Sequence, residues 1–412
     1  MKRYIILIGM VAAMYSCGDD IYDNIKEMVD KEKVYPTGYD KAYKTAGGYE
    51  RVEIDLFPSR IPDSLMFMPR AVKTVVEYDD QKVVFTPARS WVNVTGLSIP
   101  QTYKFKIYTE DEFGNPSIPV EAEGKPFTEA DRNALIITDV ISTANSTQAV
   151  ISASSVPGAY KILSGDYSYT AAGVPVSGSF TGERLVMLNL PDGQSIDVDI
   201  TYKLLPTGAI DTIPVAQTIA VKTMTQQELD DYLNLTQPFP GYDNRIFKTA
   251  PFVISASDFD MGGNGKGFYQ SVVARNGITG YREPVTGEAE YWWGLDANAR
   301  NGNPEITGYG IGWITVGDWL AYTVNVIDEG YYSVEYNRAM NNNNGEATLT
   351  FDALDVLGII PITNNANWSA FQWMQTGVSL YLSPGIHKFR WTFRNMQMNF
   401  GGLRFTYVNP QP

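Results

Sequence analysis

The chain has 412 residues, a formal net charge of -14, one cysteine and one histidine. That charge argues against a nucleic-acid partner, because phosphate binding needs a basic surface, and against docking on anionic lipid headgroups. A lone cysteine excludes an internal disulfide, and one cysteine with one histidine excludes Cys/His zinc sites.

Residues 1–16 read as a secretory signal. Lys2 and Arg3 precede an apolar run from Tyr4 to Met14 that is too short to span a bilayer. The run ends Met14-Tyr-Ser-Cys17, and a small residue before a lone cysteine resembles a bacterial lipobox. The resemblance implies cleavage before Cys17 and acylation of its thiol and new amino group, which makes a firm lipid anchor. Gly18-Asp-Asp20 resembles the surface-export signal of Bacteroidetes lipoproteins and so implies an outer-membrane protein facing the cell exterior. Residues 17–35 are then the lipidated tether.

Residues 36–128 predict a small β-sandwich. Arg51-Val-Glu-Ile-Asp-Leu56 alternates, and Lys73-Thr-Val-Val-Glu-Tyr78 and Lys82-Val-Val-Phe85 flank a hairpin-like turn at Asp79-Asp-Gln81. Thr102-Tyr-Lys-Phe-Lys-Ile-Tyr-Thr109 is a further alternating strand. The order Gly96-Leu97, then Tyr103, Phe105 and Ile107, then Asp111, Gly114, Asn115 and Ser117 resembles a fibronectin type III-like module. It is also similar to an N-terminal domain of Bacteroidetes polysaccharide-utilisation lipoproteins, which implies a spacer or assembly role. Residues 129–223 carry a second set of short strands cut by Gly and Pro, as in another sandwich. Asp197 and Asp199 alternate there with apolar residues and read as a solvated face. Thr225-Gln-Gln-Glu228 predicts a capping box opening a short helix. Pro238, Pro240 and Gly241 follow, so 224–246 reads as a hinge into the last domain.

Residues 247–409 hold every tryptophan except Trp91. The stretch after Asp318 predicts a strand with Leu320, Tyr322, Val324 and Val326 on one face and Trp319, Ala321, Thr323 and Asn325 on the other. Trp313 and Trp319 are assigned to the core or the sheet face. Aromatics concentrated among polar loops have two readings, a large core or a platform for sugar rings. An indole or phenol face satisfies the C–H side of a pyranose, while Asn, Gln and Asp satisfy its hydroxyls.

The motifs in order resemble a family 6-type carbohydrate-binding module, a β-jelly-roll. They are Ile254-Ser-Ala-Ser-Asp-Phe-Asp260 with Gly262-Gly-Asn-Gly265, Gly280-Tyr-Arg282, Gly308-Tyr-Gly-Ile-Gly-Trp-Ile314, Gly317-Asp-Trp-Leu-Ala-Tyr-Thr-Val324, Gly330-Tyr-Tyr-Ser-Val334, Pro361-Ile-Thr363 through Trp368 and Trp373, Leu382 through Arg390, and Met398-Asn-Phe400. The resemblance implies a cleft at one end of the sandwich where Tyr281 and Trp368 sandwich a sugar, Asn399 bonds its hydroxyls and Gln270 lies nearby. The bland alternatives are a core tyrosine at 281, a buried indole at 368 and a turn-capping amide at 399. Trp292 and Trp293 are candidates for a second surface. The family pattern also implies glutamates that hold structural calcium. Ser255 and Ser257 stand at those positions, so the pattern argues against the ion, with Asp258 or Asp260 as the remaining carboxylates.

The expected fold is all-β: two Ig/fibronectin III-like β-sandwiches followed by a β-jelly-roll. The expected function is a lipid-anchored cell-surface protein that captures polysaccharide or oligosaccharide for a porin-type transporter and nearby enzymes. Two rivals stay open. A glycoside hydrolase or lyase needs a carboxylate pair, for which Asp258, Asp260 and Asp318 are candidates. A structural or adhesive lipoprotein needs no cleft at all. A triad enzyme would have to use His387, which reads better as a packed or surface histidine.

Overall fold

The computed structural model describes residues 36–58, 68, 70–271, 281–282, 295–395 and 397–408. The signal segment, Cys17, the tether, Trp292 and Trp293 lie outside the described residues. The chain divides into two compact units, one of residues up to Leu135 with Leu205–Ile213, the other of Ile136–Leu204 with Pro214 onward. Among the described residues the elements are strands, with few and short helical turns.

In the first unit, strands Tyr39–Gly48, Arg51–Pro58 and Trp91–Thr95 form one sheet, in that order. Gln81–Phe85, Lys73–Tyr78, Tyr103–Glu110 and Val120–Gly124 form the other. The alternation sets what is buried. Val52, Ile54 and Leu56 share a core with Val76, Phe105 and Ile107 of the facing sheet, while Arg51 and Glu53 point outward. The Arg51 guanidinium forks onto Asp211 with bonds of 2.8 and 2.7 Å and meets Glu53 at 2.5 Å. The first hairpin is tighter than predicted. Tyr78 pairs with Gln81, leaving a two-residue turn with Asp79 at φ +45°; such turns need positive φ, which a short acid tolerates.

The second unit opens with another sandwich. Val174–Thr181, Tyr160–Ala171, Ser195–Pro206 and Ile213–Lys222 form one sheet, and Arg184–Met187, Ala149–Ala153 and Val140–Ala144 the other. Asp197 and Asp199 are exposed, as the alternation predicts, and Thr218 donates to Asp199 at 2.6 Å. The helix Gln226–Asn234 carries the predicted capping box: Thr225 N donates to Glu228 at 2.7 Å and Glu228 N to the Thr225 hydroxyl at 3.1 Å.

The rest of this unit is a two-sheet jelly roll. One sheet is ordered Arg245–Ile246, Trp319–Val326, Gly385–Phe393, Gly345–Phe351 and Leu354–Asp355, with Phe268–Tyr269 pairing onto Trp319–Val326 and Ile360–Ile362 onto Gly345–Phe351. The other is ordered Leu295–Asp296, Gly310–Ile311, Asn399–Val408, Gly330–Met340 and Asn367–Leu382, with Phe252–Ser255 pairing onto Asn399–Val408. Leu320, Tyr322, Val324 and Val326 face the core between the sheets, where Trp391 stacks on Phe400 at 5.1 Å.

Two buried polar clusters tie neighbouring segments to this domain. Lys388 donates to the Tyr232 carbonyl at 2.9 Å and the Thr236 hydroxyl at 2.6 Å, and lies 3.9 Å from the Asp260 carboxylate. The segment after the helix is thereby bonded to the jelly roll. Asp355 does the same for the preceding sandwich. Its carboxylate accepts from the Ser152 hydroxyl at 2.7 Å and from Gly358 N at 2.9 Å. Its backbone N–H donates to Thr143 and its carbonyl accepts from Arg184, each at 2.8 Å.

Removing the Asp355 carboxylate leaves two buried donors unpaired. Asp355→Ala is expected to cost roughly 2–4 kcal/mol and to split one thermal transition of the second unit into two. Ser152→Ala removes one bond and is expected to cost about 1 kcal/mol. Calorimetric scans of the full chain check both.

Candidate functional site

The strand Gly330–Met340 sets the geometry of one end of the jelly roll. Its last residues pair with Asn367 on one side and Asn399 on the other: Met340 with Asn367, and Ala339 with Asn399. Gly310–Ile311 joins the same edge, since Ile311 pairs with Phe400. The chain therefore leaves the sheets at this end after Ile311, Met340, Ile362 and Phe393.

Both pairings slip there. The Asn399–Val408 strand carries an extra residue, Gly401, between partners Phe400 and Gly402 of consecutive residues Arg338 and Asn337. A Cβ at Gly401 would lie 2.2 Å from the Asn337 side-chain oxygen, so only glycine fits. On the other side, five positions of Asn367–Leu382 span two of Gly330–Met340. Such bulges re-aim side chains at the rim of a sheet.

Trp368 and Asn399 are brought together. The Asn399 amide donates to the Trp368 carbonyl at 2.9 Å, and the Trp368 residue is 37% exposed. Neighbouring asparagines fix the same loops. Asn365 accepts from Met340 N at 2.9 Å and donates to the Ala370 carbonyl at 2.6 Å, and Asn344 accepts from Asn364 N at 2.9 Å.

Trp313 departs from the expectation of a core or sheet-face residue. The strand stops at Ile311, and Trp313 sits beyond it at φ +51°, with 61% of its surface exposed. Left-handed backbone at a bulky residue is uncommon, and here it turns an indole out of the fold. With strands spaced about 4.8 Å apart, the strands leading to Trp313 and Trp368 are roughly 14 Å apart, with Asn399 between them. Gly310 and Gly312 are the signal for this in the sequence, since glycine within an apolar strand pattern marks a bend. Trp319 does lie on a sheet face, stacked on Tyr269 at 6.4 Å with the Arg390 guanidinium 4.0 Å over its ring.

Gln270 is buried, with no partner for its side-chain nitrogen among the described residues. The next residue, Ser271, donates twice to Asp318, which also accepts from Thr315 N at 2.8 Å and so shapes the turn before Trp319. Tyr281 is held by another set of residues. Its hydroxyl donates to Asp258 at 2.7 Å, and its ring packs on Phe239 at 5.5 Å and against Tyr309 at 5.1 Å. Burial, then the charge and bond of Asp258, push its phenol well above the usual tyrosine value. Trp368 and Asn399 thus share one direct contact, while Tyr281 is anchored on the flank where Phe252–Ser255 and Gly310–Ile311 meet Asn399–Val408.

The residues around Ser255 and Ser257 do not fit a calcium ion. The Ser255 hydroxyl accepts from Gly308 N and the Ser257 hydroxyl from Tyr309 N, each at 2.8 Å. Asp260 is filled by Thr236, by the Thr323 N–H and hydroxyl at 2.6 Å each, and by Lys388. The Arg282 guanidinium donates to the carbonyls of Ser257, Phe259 and Asp260. Burial raises the pKa of both Asp258 and Asp260. Side-chain cations and backbone N–H groups already occupy the oxygens that calcium would need.

His387 is buried. Its Nδ1 lies 2.6 Å from Asp352 and its Nε2 2.7 Å from the Ser383 carbonyl, with Phe351 stacked at 4.6 Å. Both partners are acceptors, an arrangement that favours the protonated ring. Burial opposes that charge, but the bond to Asp352, its charge and the Ser383 carbonyl outweigh it, and the pKa is raised.

Residues 288–407 match the carbohydrate binding module (family 6) model. The matched segment contains Trp313, Trp368 and Asn399 and supports carbohydrate binding by the C-terminal domain. No curated protein matches the chain. Among solved structures, the C-terminal CBM6 of the laminarinase LamC from Zobellia galactanivorans is 24% identical over 24% of this chain and 80% of its own, with a TM-score of 0.22. A module of Cellvibrio mixtus lichenase 5A, solved with cellotriose, is 30% identical over 25% and 79%, with a TM-score of 0.22. The chicken CNTN1 FN1–FN3 domains are 15% identical over 46% and 67%, with a TM-score of 0.27. These scores are low, and the family match carries the assignment.

Two predictions follow from the polar clusters. EDTA is expected to leave the melting midpoint within about 1 °C of its value with added calcium, because the oxygens are already bonded. The His387 pKa is higher folded than unfolded, so its contribution is full below about pH 6.5 and is lost as pH rises through the folded value. The urea midpoint is expected to fall between about pH 6 and pH 9, and His387→Gln to flatten that slope.

Proposed function

We propose that this chain is a lipid-anchored, cell-surface glycan-binding protein. In this reading Cys17 carries the acyl chains, the two sandwiches act as spacers, and the jelly roll captures polysaccharide or oligosaccharide for a porin-type transporter in the outer membrane. The observation that carries it is the end of the jelly roll that bears exposed Trp368, bonded through its carbonyl to Asn399, and exposed Trp313. An indole buries 150–250 Å² when covered, so two that keep 37% and 61% of their surface exposed at one rim retain area for stacking. Fold alone does not give function; the support is this rim within the segment that matches the family model.

The hydrolase alternative loses its candidate carboxylates. Asp258, Asp260 and Asp318 are all buried and bonded to the fold's own donors. A general acid and its partner must instead face a cleft.

Affinity electrophoresis against a panel of plant and algal polysaccharides tests the proposal. Trp368→Ala is expected to weaken binding by about tenfold or more. Comparing Trp313→Ala with Tyr281→Ala shows which ring opposes Trp368 across the sugar. Retention of Trp368→Ala equal to the unmutated chain on every binding polymer would remove this site from consideration. Intact-mass measurement of membrane-extracted protein, with Cys17→Ser beside it, tests the anchor.

A further inference from the structure

Arg338 lies within one residue of the rim. It pairs with Phe400 on one side and Gln372 on the other, and the next residue, Ala339, pairs with Asn399. It is 3% exposed. Its guanidinium makes two long contacts, Nη1 to the Gln372 side-chain oxygen at 3.3 Å and Nη2 to the Met374 sulfur at 3.5 Å, and its Nε has no partner. Among the described residues, no carboxylate lies within ion-pair distance of it. Arg404, on the same sheet, shows the contrast: Glu335 receives it at two oxygens and Glu305 at a third.

A guanidinium presents a fork of N–H donors matched to a planar carboxylate. Burying that charge against an amide oxygen and a thioether is costly. Burial accordingly pulls the Arg338 pKa below the ordinary arginine value, with Tyr336 acting the other way. The Gln372 residue is exposed, so the amide oxygen on Nη1 comes from a surface side chain and not from the core. Binding an anion there would supply the charge partner the fold omits.

We propose that Arg338 receives the carboxylate of a uronic-acid residue, so that the glycan held beside Trp368 is an acidic polysaccharide. The inference rests on the glycan-binding reading of the same rim. The chain's net charge of -14 repels a polyanion at long range. That repulsion is screened within about 10 Å at ordinary ionic strength, whereas a buried guanidinium acts in a low-dielectric setting where a contact charge is felt strongly. Selection for acid is therefore local and lies in this one side chain.

The test uses the full chain at fixed ionic strength with polygalacturonate, alginate and glucuronoxylan, each beside its carboxyl-reduced counterpart, and laminarin as a neutral reference. At least one acidic polymer is expected to bind about tenfold more tightly than its reduced form. Arg338→Met is expected to bring that ratio to one, and Arg338→Lys to keep part of it. Should Arg338→Met fail to fold, Gln372→Glu serves, because it sets a carboxylate on the guanidinium from an exposed position. It is expected to raise the melting midpoint and abolish the preference. Binding to neutral or reduced polymers with no gain from the carboxylate overturns the inference and leaves the glycan reading standing. Binding to no polymer overturns both.

Discussion

Gly330–Met340 is hydrogen-bonded along both edges, and both ladders slip near its last residues. That double irregularity is the constraint on which the rim depends. A regular ladder would run Asn399 and Trp368 on as ordinary strand positions, alternating between core and outer face. The extra residue at Gly401 and the long bulge in Asn367–Leu382 instead bring an amide under the tryptophan carbonyl. The glycine is required because Asn337 occupies the space a Cβ would fill. Sheet register and functional side chains are thus one problem here.

The domain spends many of its charges inside. Asp260 with Lys388, Asp352 with His387, and Glu335 with Arg404 each join groups far apart in sequence. Such pairs seldom add much net stability, since desolvation offsets their attraction, but losing one partner is severe. Their effect is to specify which strand meets which. In a fold built of many similar Val-, Ile- and Tyr-rich strands, that specificity has value that apolar packing alone lacks. Arg338 stands outside that pattern among the described residues, and it lies beside the bulges.

Much of this was legible in the sequence. Alternation around Leu320, Tyr322 and Val324 marks the central strand, and the spacing of Thr225 and Glu228 marks the helix start. The polar run around Trp368 marks an indole hard to bury. What was not legible depends on partners distant along the chain. Trp313 reads as part of a strand because its neighbours are apolar, yet pairing ends at Ile311 and a positive φ turns the ring outward. The environment of Tyr281 is set by Phe239, Asp258 and Tyr309. The isolation of Arg338 follows from which residues Gln372 and Met374 are set against it, and periodicity carries no such information.

The bonds at Asp355 have a mechanical consequence. Under the proposed glycan-binding function, a polymer in moving water would pull on its holder, and the pull would have to be carried to the rest of the chain. Arg394, in the loop that leads to Asn399, pairs with Asp139 of the preceding sandwich, and Asp355 bonds three residues of that sandwich. Tension at the rim is therefore shared among several short polar contacts at once instead of being borne by the connecting peptide alone. Pulling the jelly roll away from the preceding sandwich would mean breaking all of these contacts together.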